Sequence, residues 1–214
     1  MSRRAVLRRL TGLLPLIALA QDPARAQNGM IRILAYGDSL TAGYGLRESE
    51  AFPARLEAAL RARGQQVTVI NGGVSGDTSR GGLERLEWTL SDPPNAVILE
   101  LGANDALRGI SAAETRANLR AMLRKLADRK IPVLLAGMRA PRNLGSDYEN
   151  EFNPIFAELA TEFGVEFYPF FLEGVAAEPT LNQPDGMHPN AKGVERIVEQ
   201  MLDPVLKLIN RLRG

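Results

Sequence analysis

Five apolar runs recur along this chain, and an amphipathic segment separates each from the next. The runs are residues 31–36 (IRILAY), 66–71 (QVTVIN), 95–101 (NAVILEL), 131–138 (IPVLLAGM) and 165–170 (VEFYPF). A strand with one wet face alternates apolar and polar residues, whereas a near-continuous apolar run belongs to a strand buried on both faces. Helices on both sides of a parallel sheet are the usual way to bury it twice. The pattern therefore predicts one α/β domain of about five β/α units, with no linker and no internal repeat.

The intervening segments carry helix signals. Residues 51–63 read as a helix closed by Gly64, and residues 77–90 as helical after their glycines, with Asp77 or Thr78 as N-cap. Ser111 precedes Glu114 by the spacing of a capping box, which starts a helix over 111–129. Residues 148–164 read as one helix ending at Gly164, and residues 191–212 as a long final helix with Pro204 as its bend point.

Residues 1–26 have the composition of an export signal. A basic stretch (MSRRAVLRRL) precedes a short apolar one (TGLLPLIALA), and ARA before Gln27 fits a small-x-small cleavage site. The apolar stretch is shorter than the roughly 20 residues needed to cross a bilayer. SRRAVLR also resembles the twin-arginine pattern, with Val6 where Phe is more usual. The expected organisation is a leader over 1–26, a single domain over 27–214, and a mature chain that does not insert stably into a membrane. The expected location is the bacterial periplasm.

The leader holds five Arg and one Asp, which leaves 21 basic and 24 acidic residues and a net charge of −3. The basicity of the whole chain thus belongs to the leader, and no basic face remains to attract nucleic acid. Cysteine is absent and there is one histidine, so disulfides, thiolates and histidine-rich metal centres are all excluded. Neither G-x-G-x-x-G nor a P-loop follows the first strand. No cofactor and no metal are expected.

In parallel sheets, ligands bind beyond the carboxyl ends of the strands. Four segments are unusual: YGDSLTAGYG (36–45), GGVSGDTSRGG (72–82), GANDALRG (102–109) and DGMHPNAKG (185–193). Taken alone, the first is either a nucleophile turn at Ser39 or an ordinary Gly/Ser turn. A serine hydroxyl is a weak nucleophile until a neighbouring base takes its proton. Imidazole suits that task because it titrates near neutral pH. His188 is the only histidine, so any such base is this one. Asp185, three residues earlier, is close enough in a tight turn to hold its Nδ1. Asn104 offers a side-chain NH2 to an anionic oxygen, and Gly76 an unobstructed backbone N–H. Asp38 and Asp105 read as structural carboxylates that accept loop N–H bonds.

In order and spacing, these four segments resemble the SGNH/GDSL hydrolase family over nearly the whole mature chain. Within it they look most like the bacterial arylesterase and acyl-CoA thioesterase I/lysophospholipase branch. The resemblance implies a flavodoxin-like three-layer α/β/α sandwich. It implies Ser39 as nucleophile, His188 as base and Asp185 as the acid that orients it. It implies an oxyanion hole from the N–H groups of Ser39 and Gly76 and the Asn104 side chain. The activity implied is hydrolysis of a small-molecule ester or lipid substrate through an acyl-enzyme. A carbohydrate acetylesterase of the same family, or an inactive binding module on the same fold, are the alternatives. Segments 106–110 and 138–148 flank the site, with Leu107, Ile110, Met138, Pro141 and Leu144 as candidates for an acyl groove.

Overall fold

Each apolar run forms a strand, and the five strands form one parallel sheet. The computed structural model describes residues 29–213, so the leader lies outside the described residues. The strands are β1 (Ile31–Gly37), β2 (Val67–Gly73), β3 (Ala96–Glu100), β4 (Val133–Ala136) and β5 (Glu166–Tyr168). Their order is β2-β1-β3-β4-β5, and every pairing is parallel. This is the doubly wound order of flavodoxin-like folds.

The helices are α1 (Ser39–Ala42), α2 (Phe52–Ala62), α3 (Ser79–Thr89), α4 (Ala103–Leu107), α5 (Ala112–Asp128), α6 (Ser146–Phe152), α7 (Pro154–Phe163) and α8 (Ala191–Arg213). Helix α2 packs against α8, while α3 and α7 pack against α5, which makes two helical layers with the sheet between them. All five residues of β3 are buried, as its apolar run requires. Leu56 and Leu60 of α2, Leu119 and Leu126 of α5, and Val205 and Leu208 of α8 are fully buried. Each such side chain contributes about 1.5–3 kcal/mol relative to exposure.

Two helices differ from their sequence reading. Helix α3 starts at Ser79 with Thr78 as N-cap, its Oγ1 accepting from the Gly81 N–H at 3.2 Å, so Gly81 and Gly82 lie inside the helix. Packing explains the exception. A Cβ on Gly82 would collide with Leu101, and the Tyr36 hydroxyl donates to the Gly82 carbonyl at 2.6 Å. The single helix expected over 148–164 is two, α6 and α7, joined at Asn153. Pro154 has no N–H to continue the ladder, and Asn153 Oδ1 accepts from the Ala140 N–H at 2.8 Å. Helix α8 runs through Pro204 as one element, and Ser111 caps α5 by accepting from the Glu114 N–H, as its spacing predicts.

After β1 the chain runs out to the edge strand β2 and then back across to β3. That reversal opens a crevice beyond the carboxyl ends of β1 and β3. Gly73, Gly37 and Glu100 stand side by side there, in register across β2, β1 and β3. A Cβ on Gly37 would collide with Thr41 Oγ1 and Glu100, and one on Gly73 with the backbone of Ala42. The two glycines let the turn after β1 fold down onto the strand ends.

Candidate active site

The first wall of the crevice is that turn. Asp38 caps α1, its Oδ1 accepting from the Leu40 N–H at 2.9 Å. Gly43 ends the helix in the left-handed region (φ +83°). The Ser39 carbonyl accepts from the N–H groups of Gly43 and Tyr44, both at 3.1 Å. Ser39, the first residue of α1, is a largely buried residue, only 9% exposed.

The second wall is the loop before α8. Here Asp185 grips its own turn: Oδ1 accepts from the N–H groups of Met187 at 2.9 Å and His188 at 3.0 Å. Oδ2 lies 2.7 Å from His188 Nδ1. The N–H groups of His188 and Met187, followed by the imidazole, hold the Asp185 carboxyl down at about 2. It is ionised at any ordinary pH, which assigns the proton between the two side chains to Nδ1. His188 Nε2 is then free to accept, and it lies 2.9 Å from Ser39 Oγ, 149 residues away in sequence. The Tyr44 ring packs 4.6 Å from the imidazole at 37°.

The third wall joins the remaining sequence-predicted residues. Gly102, with φ +118°, turns the chain from β3 into α4, and Asn104 sits in the first turn. Its Nδ2 donates to Asp38 Oδ2 at 3.1 Å and to the Asp77 carbonyl at 2.9 Å. Asn104 therefore connects to the neighbour of Ser39 on one side and to the neighbour of Gly76 on the other. Gly76 adopts φ +83°, a conformation suited to glycine. Its carbonyl accepts from Arg108 Nη2 at 2.7 Å. Neither the Gly76 N–H nor the Ser39 N–H has an acceptor among the described residues.

Below the serine lie two buried carboxyls. Burial raises Asp38 to about 6, against the opposing bonds from Leu40 and Asn104. Glu100 is fully buried; desolvation and then the Asp38 charge push it well above the usual carboxylate range. Thr41 Oγ1 lies 2.7 Å from Glu100 Oε2, and Glu100 Oε1 has no partner among the described residues. Desolvation and repulsion between like charges favour a neutral Glu100 beneath Asp38.

Asp105 behaves as the structural carboxylate expected. It is fully buried and accepts from the Ser79 N–H at 2.7 Å, from the Ser79 hydroxyl and from Thr115 Oγ1 at 3.1 Å, tying α3, α4 and α5 together. Arg85 was not legible as a site residue. Its Nε donates to Asp77 Oδ2 at 2.6 Å and its Nη2 to the Gly37 carbonyl at 3.0 Å, and its guanidinium lies 3.9 Å from the Tyr36 ring centroid. Its hydrogen-bond partners are up to 48 residues away, so no local pattern marks it.

Of the groove candidates, Met138 is buried in the core at 3% exposure and does not line a groove. Leu107 is open to solvent, and the two flanking segments are tied where the Tyr148 hydroxyl donates to the Ile110 carbonyl at 2.7 Å. Among the described residues, no helix is long and apolar enough to cross a membrane, and no group of three His, Asp or Glu is placed to hold a metal ion.

Comparison with known proteins agrees with this geometry. An arylesterase from Vibrio mimicus is 39% identical over 177 residues, covering 82% of this chain and 88% of that protein. The esterase TesA of Pseudomonas aeruginosa is 38% identical over 199 residues, covering 92% and 96% respectively. Among solved structures, AlinE4, an SGNH-hydrolase family esterase, is 50% identical with a TM-score of 0.72, covering 85% of this chain and 98% of that one. The GDSL-like lipase/acylhydrolase family matches residues 35–196, and the chain belongs to that family.

Proposed function

We propose that this protein hydrolyses carboxylic esters by forming an acyl-enzyme on Ser39. The observation that carries the reading is the unbroken chain Ser39 Oγ, His188 and Asp185, with links of 2.9 and 2.7 Å assembled from opposite ends of the sequence. Ser39 Oγ attacks the ester carbonyl while His188 Nε2 takes its proton. The imidazolium so formed is stabilised by Asp185 and then protonates the departing alkoxide or aryloxide. Water repeats the sequence on the acyl-enzyme and releases the acid.

The tetrahedral intermediate places negative charge on the former carbonyl oxygen. The unpaired N–H groups of Ser39 and Gly76 are suited to receive it, together with the Asn104 amide. That amide already donates twice, so the oxyanion draws the proton now held by Asp38 at 3.1 Å, the longer of the two bonds. Losing one such donor costs about 3–4 kcal/mol of barrier.

Aryl esters, lysophospholipids and thioester-type acyl groups fit best. Tyr44, Leu107 and Met187 are each about half exposed and lie on the segments that carry Ser39, Asn104 and His188. They supply apolar surface for an acyl chain or ring. The leader-like residues 1–26 support export to the periplasm, where a lipid ester is available and cytosolic acyl-CoA is not. Cell fractionation that finds the native protein in the cytosol would sink this part.

The test is a series of chromogenic esters of increasing acyl length, run on wild type and Ser39→Ala. Ser39→Ala should lose nearly all turnover on every ester. Equal rates for the two would remove Ser39 from the mechanism, and activity confined to acetylated sugars would favour a carbohydrate acetylesterase.

A further inference from the structure

The turn that carries Ser39 and the loop that carries His188 are joined by more than the bond between those two residues. Gln183 bridges them. Its Nε2 donates to the Tyr44 carbonyl at 2.7 Å and to the Pro189 carbonyl at 3.0 Å. Its own N–H donates to the His188 carbonyl at 2.7 Å, and its carbonyl accepts from the Gly186 N–H at 2.9 Å. One residue thus grips the base from inside its loop and ties that loop to the turn five residues after the nucleophile.

The turn is shaped for this contact. Gly45 has φ +73°, and a Cβ there would collide with Gln183 Oε1. Both protons on Nε2 are used, one on each side of the crevice. A carboxylate of the same length offers no proton, a methionine fills the space without donating, and an asparagine is one methylene too short.

Position matters here because neither segment belongs to the sheet. Loops move more than the elements they connect, and a misplacement of about 1 Å between reacting groups costs roughly 100-fold in rate. The Ser39–His188 bond is a single hydrogen bond between the one-turn helix α1 and a loop. Gln183 adds restraint on both sides without entering the reaction.

We propose that Gln183 is a positioning residue, whose carboxamide clamps the His188 loop to the nucleophile turn and sets the alignment of Ser39 with His188. The proposal rests on the assignment of Ser39 and His188 made above.

The test uses a p-nitrophenyl alkylphosphonate ester on wild type, Gln183→Met, Gln183→Glu and Ser39→Ala. In this reaction Ser39 Oγ forms a bond to phosphorus, nitrophenolate leaves with the electron pair, and His188 takes the hydroxyl proton. The end-point counts folded, competent sites; the rate reports their alignment. Wild type and both Gln183 variants should reach one adduct per chain, located on Ser39, and Ser39→Ala should reach none. Gln183→Met should react about 10- to 100-fold more slowly, with kcat for a short ester falling in parallel and KM changing by less than about threefold. Gln183→Glu should be slower still, because its carboxylate faces two carbonyl oxygens.

Phosphonylation of Gln183→Met at the wild-type rate would overturn the clamp alone. So would a reduced end-point with an unchanged rate per reactive site, which is the signature of partial misfolding. A wild type that hydrolyses esters but gains no adduct on Ser39 would overturn the serine reading and the clamp with it.

Discussion

Replacing Asp185 by Asn keeps the shape of the side chain but exchanges a charged, accepting oxygen for a neutral, donating NH2 group. The amide oxygen can keep the bonds from the N–H groups of Met187 and His188 that Oδ1 now accepts at 2.9 and 3.0 Å. The NH2 group then stands where Oδ2 is, 2.7 Å from His188 Nδ1. Two donors cannot face each other, so Nδ1 becomes the acceptor and the imidazole proton moves to Nε2. That proton points at Ser39 Oγ, and the lone pair that should take the serine proton is gone. The same inversion in a serine–histidine–aspartate triad costs about 10⁴ in kcat, or roughly 5.5 kcal/mol of barrier. The cost to folding is far smaller. Two bonds to a charged oxygen become bonds to a neutral one, a loss of about 1–2 kcal/mol.

The assay is steady-state hydrolysis of a short chromogenic ester near neutral pH, with a thermal melt of the same samples. The expected result is kcat down by about four orders of magnitude, KM within about threefold and a fold that melts only a few degrees lower. Asp185→Asn retaining kcat within about tenfold of wild type would refute the tautomer argument.

Other outcomes follow from the same contacts. The Asp185 carboxyl is held down at about 2, below its ordinary 3.8, so its contribution to stability is complete above 3.8 and is lost as pH falls through 2. Denaturant melts of wild type and Asp185→Asn should therefore differ at neutral pH and converge across that acid window. Gly37→Ala drives a methyl group into Thr41 and Glu100 at the floor of the site; chemical denaturation should show a loss of about 3 kcal/mol or more. Leu56→Ala, in the core, should cost about 2–5 kcal/mol. Arg120→Ala removes a surface pair with Glu162 in which both side chains are over a third exposed, and should leave the denaturation midpoint nearly unchanged in the same assay.

The features legible in the sequence were those fixed by short-range pattern. Burial of β3 on both faces shows as an uninterrupted apolar run, and Ser111 announces the start of α5 from three residues away. The cap at Thr78 is legible, but Gly81 and Gly82 look like loop residues although both lie inside α3. Gly82 is in the helix because Leu101 and the Tyr36 hydroxyl press on it, and both are distant in sequence. The break at Asn153 follows from Pro154, which has no N–H and which the apolar periodicity overrides; the bond from Asn153 to Ala140 leaves no periodic mark. In the site, Ser39, Asp185 and His188 were legible because each lies in a compact motif and the histidine is unique. Asp38 was correctly read as a loop carboxylate, but its bond to Asn104 spans 66 residues and has no local signature. Gln183 was missed for the same reason: its partner Tyr44 lies 139 residues away.

The central claim is a covalent intermediate on Ser39, and trapping it is the most direct test. Wild-type protein is mixed with an activated ester, quenched in acid during turnover, digested and mapped by mass spectrometry. The account predicts the mass of the acyl group on the peptide that contains Ser39, and no acylated peptide from Ser39→Ala. Acyl mass on another residue, or unimpaired turnover by Ser39→Ala, would contradict it.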